Sequence, residues 1–409
     1  MKWIYSFLLF ILSIFVDAQS MHCLDNRYSE DTLFSSGQII AIQNVSYGNA
    51  NHFLTGTATN LLADVYYPDP NVDPLPERPL VIMIHGGAFL AGDKSELTDI
   101  ARGFAQRGFV VMNINYRLGW GCDLEGAAAC LFCGGLISNF KKATYCAVQD
   151  ARAAFRYAES QEAQWKVDSD WVFIAGESAG AITALHTTYW QQDEADAFLG
   201  DSFSSTNGDL DHSGNSLTGT YSIKAVVNHC GAITDLNAID ESEMLPMISY
   251  HDQGDCIVPY QSGQVITCPC NFNLYYVSGS LSIHNYLLQH DQCSVLYAPT
   301  TVAQHCSTPH YIITAHAACF LKQVMCDICG NGFSTDVYQN SDCSNLGTAV
   351  PVIAGCTYPQ AANYNALATF DNGTCTFEAC LCPGDLDGNG LINVDDLAAF
   401  LAIYGSTCP

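Results

Sequence analysis

The chain has 409 residues, 49% of them hydrophobic, enough to bury a large core and to hold more than one folded unit. Its 41 acidic residues outnumber 14 basic ones and give a net charge of −27, which repels nucleic acid and anionic membranes and argues against both as partners. Acidity of this kind keeps a protein soluble in salt and identifies no substrate.

Residues 1–18 begin with a single basic residue, Lys2, run apolar from Trp3 to Val16, and end on Val16-Asp17-Ala18. They read as a cleaved secretory signal, because the run is shorter than the roughly 20 apolar residues that span a bilayer. Twenty cysteines fit export into an oxidising compartment, where they can pair. Cys130/Cys133 and Cys326/Cys329 have zinc-like or redox-like spacing, but in an exported chain structural disulfides are the expectation.

From Leu61 to about Cys326, apolar strand-like runs alternate with helix-like stretches, which predicts α/β architecture with a mostly parallel sheet. Strands are expected at 80–84, 109–115, 171–175, 223–229, 246–250 and 294–298. Val148, Ala151 and Phe155 recur at helical spacing and predict a helix over Cys146–Tyr157. Residues 119–146, rich in Cys, Gly and Ala, read as a cap over the site, and the polar stretch 191–222 as a surface loop.

Two motifs carry the chemistry. VFIAGESAG (172–180) is a buried strand ending in G-x-S-x-G, the pattern of a sharp strand-to-helix turn with Ser178 at its tip. LVIMIHGGAF (80–89) is another buried strand running into His85-Gly86-Gly87, whose bare backbone can aim N–H groups at a developing oxyanion. A serine hydroxyl is inert at neutral pH and needs a base oriented by a third group, in the order Ser, acid, His. Asp255 lies in a turn after the 246–250 strand and is the favoured acid, with Asp252 its competitor. His305 and His310 follow the 294–298 strand, where the base belongs; His305 is favoured, and His316 sits inside the expected final helix.

HGGAF, GESAG and HDQGDCIVPY, in this order, resemble the carboxylesterase and lipase family of α/β-hydrolases, especially its secreted bacterial members, over about residues 37–326. The resemblance implies an α/β-hydrolase fold, a mostly parallel central sheet flanked by helices. It implies a triad of Ser178, Asp255 and His305, and an oxyanion hole made by the N–H groups of Gly86, Gly87 and Ala179, with His85 structural. Ala88 stands where many members have glycine, and no glycine precedes His305. Cys256 and Cys306 directly follow the acid and the base, so a disulfide between them is a hypothesis that would pin the two loops together.

After Cys329 the character changes. Residues 330–350 read as a linker, and 351–379 as a small Cys-bounded module that needs a disulfide to hold a core. Residues 385–396 (DLDGNGLINVDD) match a calcium loop: Asp385, Asp387, Asn389, Asn393 and Asp396 supply side-chain oxygens, Leu391 a carbonyl, and Gly390 the turn. Leu397, Phe400, Leu401 and Tyr404 then recur at helical spacing. This stretch resembles half of a dockerin-type EF-hand, with one loop where dockerins carry two. A second acidic loop, Asp209-x-Asp211-x-Ser213-Gly214, is a weaker calcium candidate.

The domains expected are therefore a signal (1–18), an α/β-hydrolase domain (19–329), a linker (330–350), a Cys-rich module (351–379) and a calcium module (380–409). The function expected is a secreted serine carboxylesterase acting on a small-molecule or polymer-linked ester. It would need no cofactor for catalysis and would carry structural Ca²⁺ in the 385–396 loop. Partners would include neither nucleic acid nor a spanned membrane, while the end module could attach the enzyme to a surface or polymer. A serine peptidase of the same fold and a non-catalytic binding or adhesion protein are the alternatives.

Overall fold

Two long antiparallel strands outside the six expected ones, β1 (Ile39–Asn51) and β2 (Ala58–Pro68), start the main sheet. The structure, a computed structural model, describes residues 22, 27–29, 32–73, 75–122, 136–268, 272, 274–300, 304–338 and short stretches between 354 and 376. The 1–18 signal, Cys130/Cys133 and the 385–396 loop lie outside the described residues.

Chain order continues with β3 (Arg78–Ile84), α1 (Thr98–Ala105), β4 (Val110–Ile114), α2 (Ile137–Ser160) and a short α3 (Glu162–Trp165). Then come β5 (Val167–Glu177), α4 (Ala179–Tyr189), α5 (Gln192–Leu199), α6 (Phe203–Asn207), β6 (Ile223–His229) and β7 (Ala232–Ile233). The remaining elements are β8 (Met247–Tyr250), β9 (Ser262–Gln264), β10 (Tyr276–Gly279), α7 (Ser280–Gln289), β11 (Ser294–Tyr297), α8 (His310–Met325) and β12 (Gly332–Ser334). The nine-stranded sheet has the order β1-β2-β4-β3-β5-β6-β8-β11-β12, parallel from β4 to β12, and β7-β10-β9 form a small antiparallel sheet.

The six expected strands are all present. β3 shows why they were readable: every residue of RPLVIMI is buried, as a parallel strand covered on both faces must be. Leu80, Ile82 and Ile84 face one apolar layer with α2 and α4, whereas Val81 and Met83 face another with α1 and α8. Each such side chain contributes about 1.5–3 kcal/mol of transfer free energy when fully buried. β1 opens with Ile39-Ile40-Ala41-Ile42, but it is an edge strand with few buried residues and two bulges, so the apolar run does not continue along it.

Other expectations need correction. The helix before the nucleophile strand starts at Ile137, so the described end of the 119–146 stretch is helix rather than cap. Within 191–222, α5 and α6 replace part of the expected loop; Gln191 and Glu194 form a capping box at the start of α5. β12 falls inside the expected linker and extends the main sheet beside β11. The acidic loop at 209–214 is held by arginines: Asp211 pairs with Arg152 at 2.9 Å and the Ser213 carbonyl accepts from Arg156 at 2.7 Å. Oxygens already bound to guanidinium groups make a poor cation site.

Four disulfides lie wholly within the described residues: Cys230–Cys306, Cys256–Cys268, Cys293–Cys329 and Cys356–Cys375. The hypothesised Cys256–Cys306 bond is therefore wrong, since each cysteine has another partner. Cys326 is also disulfide-bonded, so neither member of the Cys326/Cys329 pair is a free ligand. Cys356–Cys375 staples the small module, where Ala354–Gly355 pairs with Phe370–Asp371. Among the described residues Cys146, buried on α2, is a free thiol. No helix among them is long and apolar enough to cross a membrane.

Candidate active site

Ser178 stands between β5 and α4 with φ 54° and ψ −119°, a conformation that a residue with a Cβ adopts only when its surroundings enforce it. Two contacts enforce it. A Cβ on Gly180 would lie 2.0 Å from the Ile84 carbonyl oxygen, and one on Gly176 would lie 2.3 Å from the Gly180 oxygen. The serine N–H donates to the His229 carbonyl at 2.8 Å, tying the turn to the end of β6.

The HGG segment lies against this turn. A Cβ on Gly86 would approach Ser178 Cβ to 3.2 Å, so the backbone there abuts the nucleophile candidate. Gly87, Ala88 and Phe89 all have positive φ, which bends the chain away from β3. Ala179 is the first residue of α4, and the first N–H groups of a helix have no partner within it. His85 is fully buried, stacks on Tyr116 at 4.6 Å and meets the Gly86 carbonyl through Nδ1 at 2.8 Å. Burial pushes its pKa down, which keeps the ring neutral.

Ser178 Oγ lies 2.7 Å from His305 Nε2, and His305 Nδ1 lies 2.6 Å from Asp255 Oδ2. A carboxylate can only accept, so the proton sits on Nδ1 and Nε2 is left to accept from the serine hydroxyl. Asp255 Oδ1 accepts from the Ile257 and Val258 amides at 2.8 and 3.1 Å. Burial alone would raise the Asp255 pKa, but hydrogen bonds from His251 and His305 outweigh it and bring the value down to about 2.

The competing residues have other partners. Asp252 accepts from the backbone N–H of Ser307 at 2.8 Å and from its hydroxyl, so it holds the loop that carries His305. His310 meets Glu177 Oε2 at 3.2 Å. His316 is fully buried beside the stacked Tyr250 and Tyr297 rings, with no hydrogen-bond partner on either nitrogen.

Two further residues escaped the sequence reading. His251 Nε2 lies 3.3 Å from Asp255 and 3.0 Å from the Val258 carbonyl, a second ring on the acid. Glu177, the x of G-x-S-x-G, lies 3.0 Å from His229 and 3.2 Å from His310. Burial would raise its pKa, yet those two hydrogen bonds hold it well below the usual carboxylate range. No local pattern announces either contact; only the position of Glu177 beside Ser178 was a signal. The atoms of His229, Cys230 and Cys306 lie within 4.8 Å of one another, but the two sulfurs are joined and do not form a metal site. A cavity of about 660 Å³ lies elsewhere, lined by Arg152, Thr188, Gln191 and Glu243 near the far end of α4.

Ser178, His305 and Asp255 thus stand in one hydrogen-bonded line on a mixed α/β fold. Residues 63–124 and 138–266 match the BD-FAE family, just under half of the chain, and this stretch takes in HGGAF, GESAG and Asp255 but stops short of His305. The chain is similar to the neuroligin-like protein glit-1 of Caenorhabditis elegans, 28% identical over 123 residues, which are 30% of this chain and 15% of that relative's length. Among solved structures it is similar to esterase B from Lactobacillus rhamnosis (16% identity, TM-score 0.43, covering 71% of this chain and 87% of the other). It is also similar to Thermogutta terrifontis esterase 2 phosphonylated by cyclosarin (16%, TM-score 0.45, 71% and 95%). A bifunctional GH43-CE of Bacteroides eggerthii is a third (17%, TM-score 0.43, 70% and 35%).

Proposed function

We propose that the chain is a secreted serine carboxylesterase in which Ser178 is the nucleophile, His305 the general base and Asp255 the group that orients it. One observation carries this reading: the continuous hydrogen-bonded line from Ser178 through His305 to Asp255, with the serine in a strained turn. His305 Nε2 takes the hydroxyl proton as Ser178 Oγ attacks the ester carbonyl. Asp255 stabilises the imidazolium that forms, and His305 returns the proton to the leaving alcohol. The N–H groups of Gly86, Gly87 and Ala179 receive the oxyanion, each worth about 2.7–4 kcal/mol by the usual cost of losing such a donor. Water then cleaves the acyl-enzyme by the same route.

The four disulfides support an oxidising compartment, and with the 1–18 pattern they support secretion. For the 385–396 loop we propose structural Ca²⁺ held by Asp385, Asp387, Asn389, Leu391, Asn393 and Asp396, an all-oxygen donor set that suits a hard cation. Through that end module the enzyme would attach to a surface or polymer bearing its substrate.

The test is hydrolysis of a p-nitrophenyl acyl series by the mature protein and by Ser178→Ala, His305→Ala and His310→Ala. Loss of about 10⁶-fold in kcat for the first two, with activity kept in the third, is expected. Full activity in Ser178→Ala, or no turnover of any ester by folded wild type, overturns the reading.

A further inference from the structure

The base loop carries an unusual set of restraints. Cys306, next to His305, is bonded to Cys230, the residue after His229 at the end of β6. Both cysteines have φ 51°, a left-handed conformation that side chains with a Cβ avoid unless held in it. Cys230 is fixed from below: its N–H donates to the Tyr250 carbonyl at 2.7 Å, at the end of β8. His229 in turn holds the nucleophile turn, through its carbonyl to the Ser178 N–H at 2.8 Å and through its ring to Glu177 at 3.0 Å. One dipeptide, His229-Cys230, thus grips the nucleophile with one residue and the base loop with the other.

We infer that the Cys230–Cys306 disulfide is a positioning device for proton transfer: it sets the distance between His305 Nε2 and Ser178 Oγ by tying both to the end of β6. The inference rests on the triad reading above. Cys306 Sγ lies 3.4 Å from His305 Nε2, so the bridge abuts the base that it positions. It acts by removing the freedom of a loop whose other described anchors are hydrogen bonds, Ser307 to Asp252 and His310 to Glu177. Cys293–Cys329 supplies the comparison, since it joins the start of β11 to the stretch before β12, at the opposite end of those strands from the site.

The experiment compares Cys230→Ala/Cys306→Ala with Cys293→Ala/Cys329→Ala, both checked for folding by circular dichroism. Two readouts are taken: kcat and KM on a p-nitrophenyl ester, and the downfield proton NMR signal of His305 Nδ1–H on Asp255, assigned by its loss in His305→Asn. The first variant is expected to lose about 100-fold in kcat, as a misplacement of about 1 Å costs, with KM within twofold and the downfield signal lost or broadened. The second is expected to keep both. Unchanged kcat and signal in the first variant, or equal losses in the two, overturn the inference. Wild type that hydrolyses no ester while the signal still depends on Cys230–Cys306 removes the esterase reading and leaves the positioning role standing. If the alanine pair does not fold, the readouts are taken on wild type partly reduced by a dithiol, with the opened bridge mapped by alkylation. That step breaks the S–S bond to two thiols and oxidises the dithiol to its cyclic disulfide.

Discussion

The turn of Ser178 and the loop of His305 meet at 2.7 Å but are held in different ways. The close contacts that shape the turn around Ser178 lie in two short runs, VFIAGESAG and LVIMIHGG, where small residues let backbone press on backbone, and His229 adds one tie from the end of β6. The loop of His305 is shaped by partners far away in the chain: Asp252 at 55 positions, Cys230 at 76 and Glu177 at 133. A motif can specify a strained turn because the strain is local. A loop with no such motif reaches the same precision only by borrowing rigidity from several strand ends.

The comparison breaks most sharply at the acid. Asp255→Asn leaves the geometry but removes the charge that fixes the tautomer of His305, and should cost about 10⁴-fold in kcat. Asp252→Asn touches only the loop's anchor at Ser307 and should cost far less, about tenfold. Steady-state kinetics on the two side by side decides whether Asp255 orients and Asp252 anchors; equal losses would mean they act as one unit.

Gly180→Ala tests the turn itself. Its Cβ would meet the Ile84 carbonyl at 2.0 Å, and neither strand nor helix can give way, so a loss on the order of 4 kcal/mol is expected in chemical denaturation. A wild-type denaturation midpoint would mean that the turn relaxes.

A smaller effect concerns His316, under the base loop in α8. Burial lowers its pKa to about 4, whereas a free histidine titrates near 6.5. Between those values the unfolded chain binds a proton that the folded chain does not, so stability falls as pH drops from about 6.5 to about 4. His316→Phe should remove about 3 kcal/mol of that pH dependence. His186 and His284, lowered to about 4 in the same way, would keep the remainder. Denaturant melts at pH 7 and pH 4.5 measure it, and an unchanged slope would place the titration elsewhere.

These contrasts explain what was legible. Six of the seven parallel strands were, because a strand covered on both faces is apolar where it is covered; β12, three residues beside β11, was not. Ser178 was singled out because it directly follows such a strand, and Asp255 because it lies in the turn beyond one. His305 was favoured from its place in the loop, but no local pattern separates it from His310, which is engaged by Glu177, a residue whose two histidine partners lie 52 and 133 positions away. β1 escaped because an edge strand needs no apolar residues beyond its first few, Ile39–Ile42. The disulfide partners were beyond reach in principle, as many pairings fit the same count.

Cys146 has a consequence for how the chain reaches its native pairing. A thiol attacks disulfides only as thiolate, and burial raises the Cys146 pKa to about 11. At pH 7 about one molecule in ten thousand would carry the reactive form, even if a second sulfur could reach it. Once α2 has docked, this sulfur is withdrawn from exchange chemistry, and the correct bridges are protected from the one described cysteine that could scramble them.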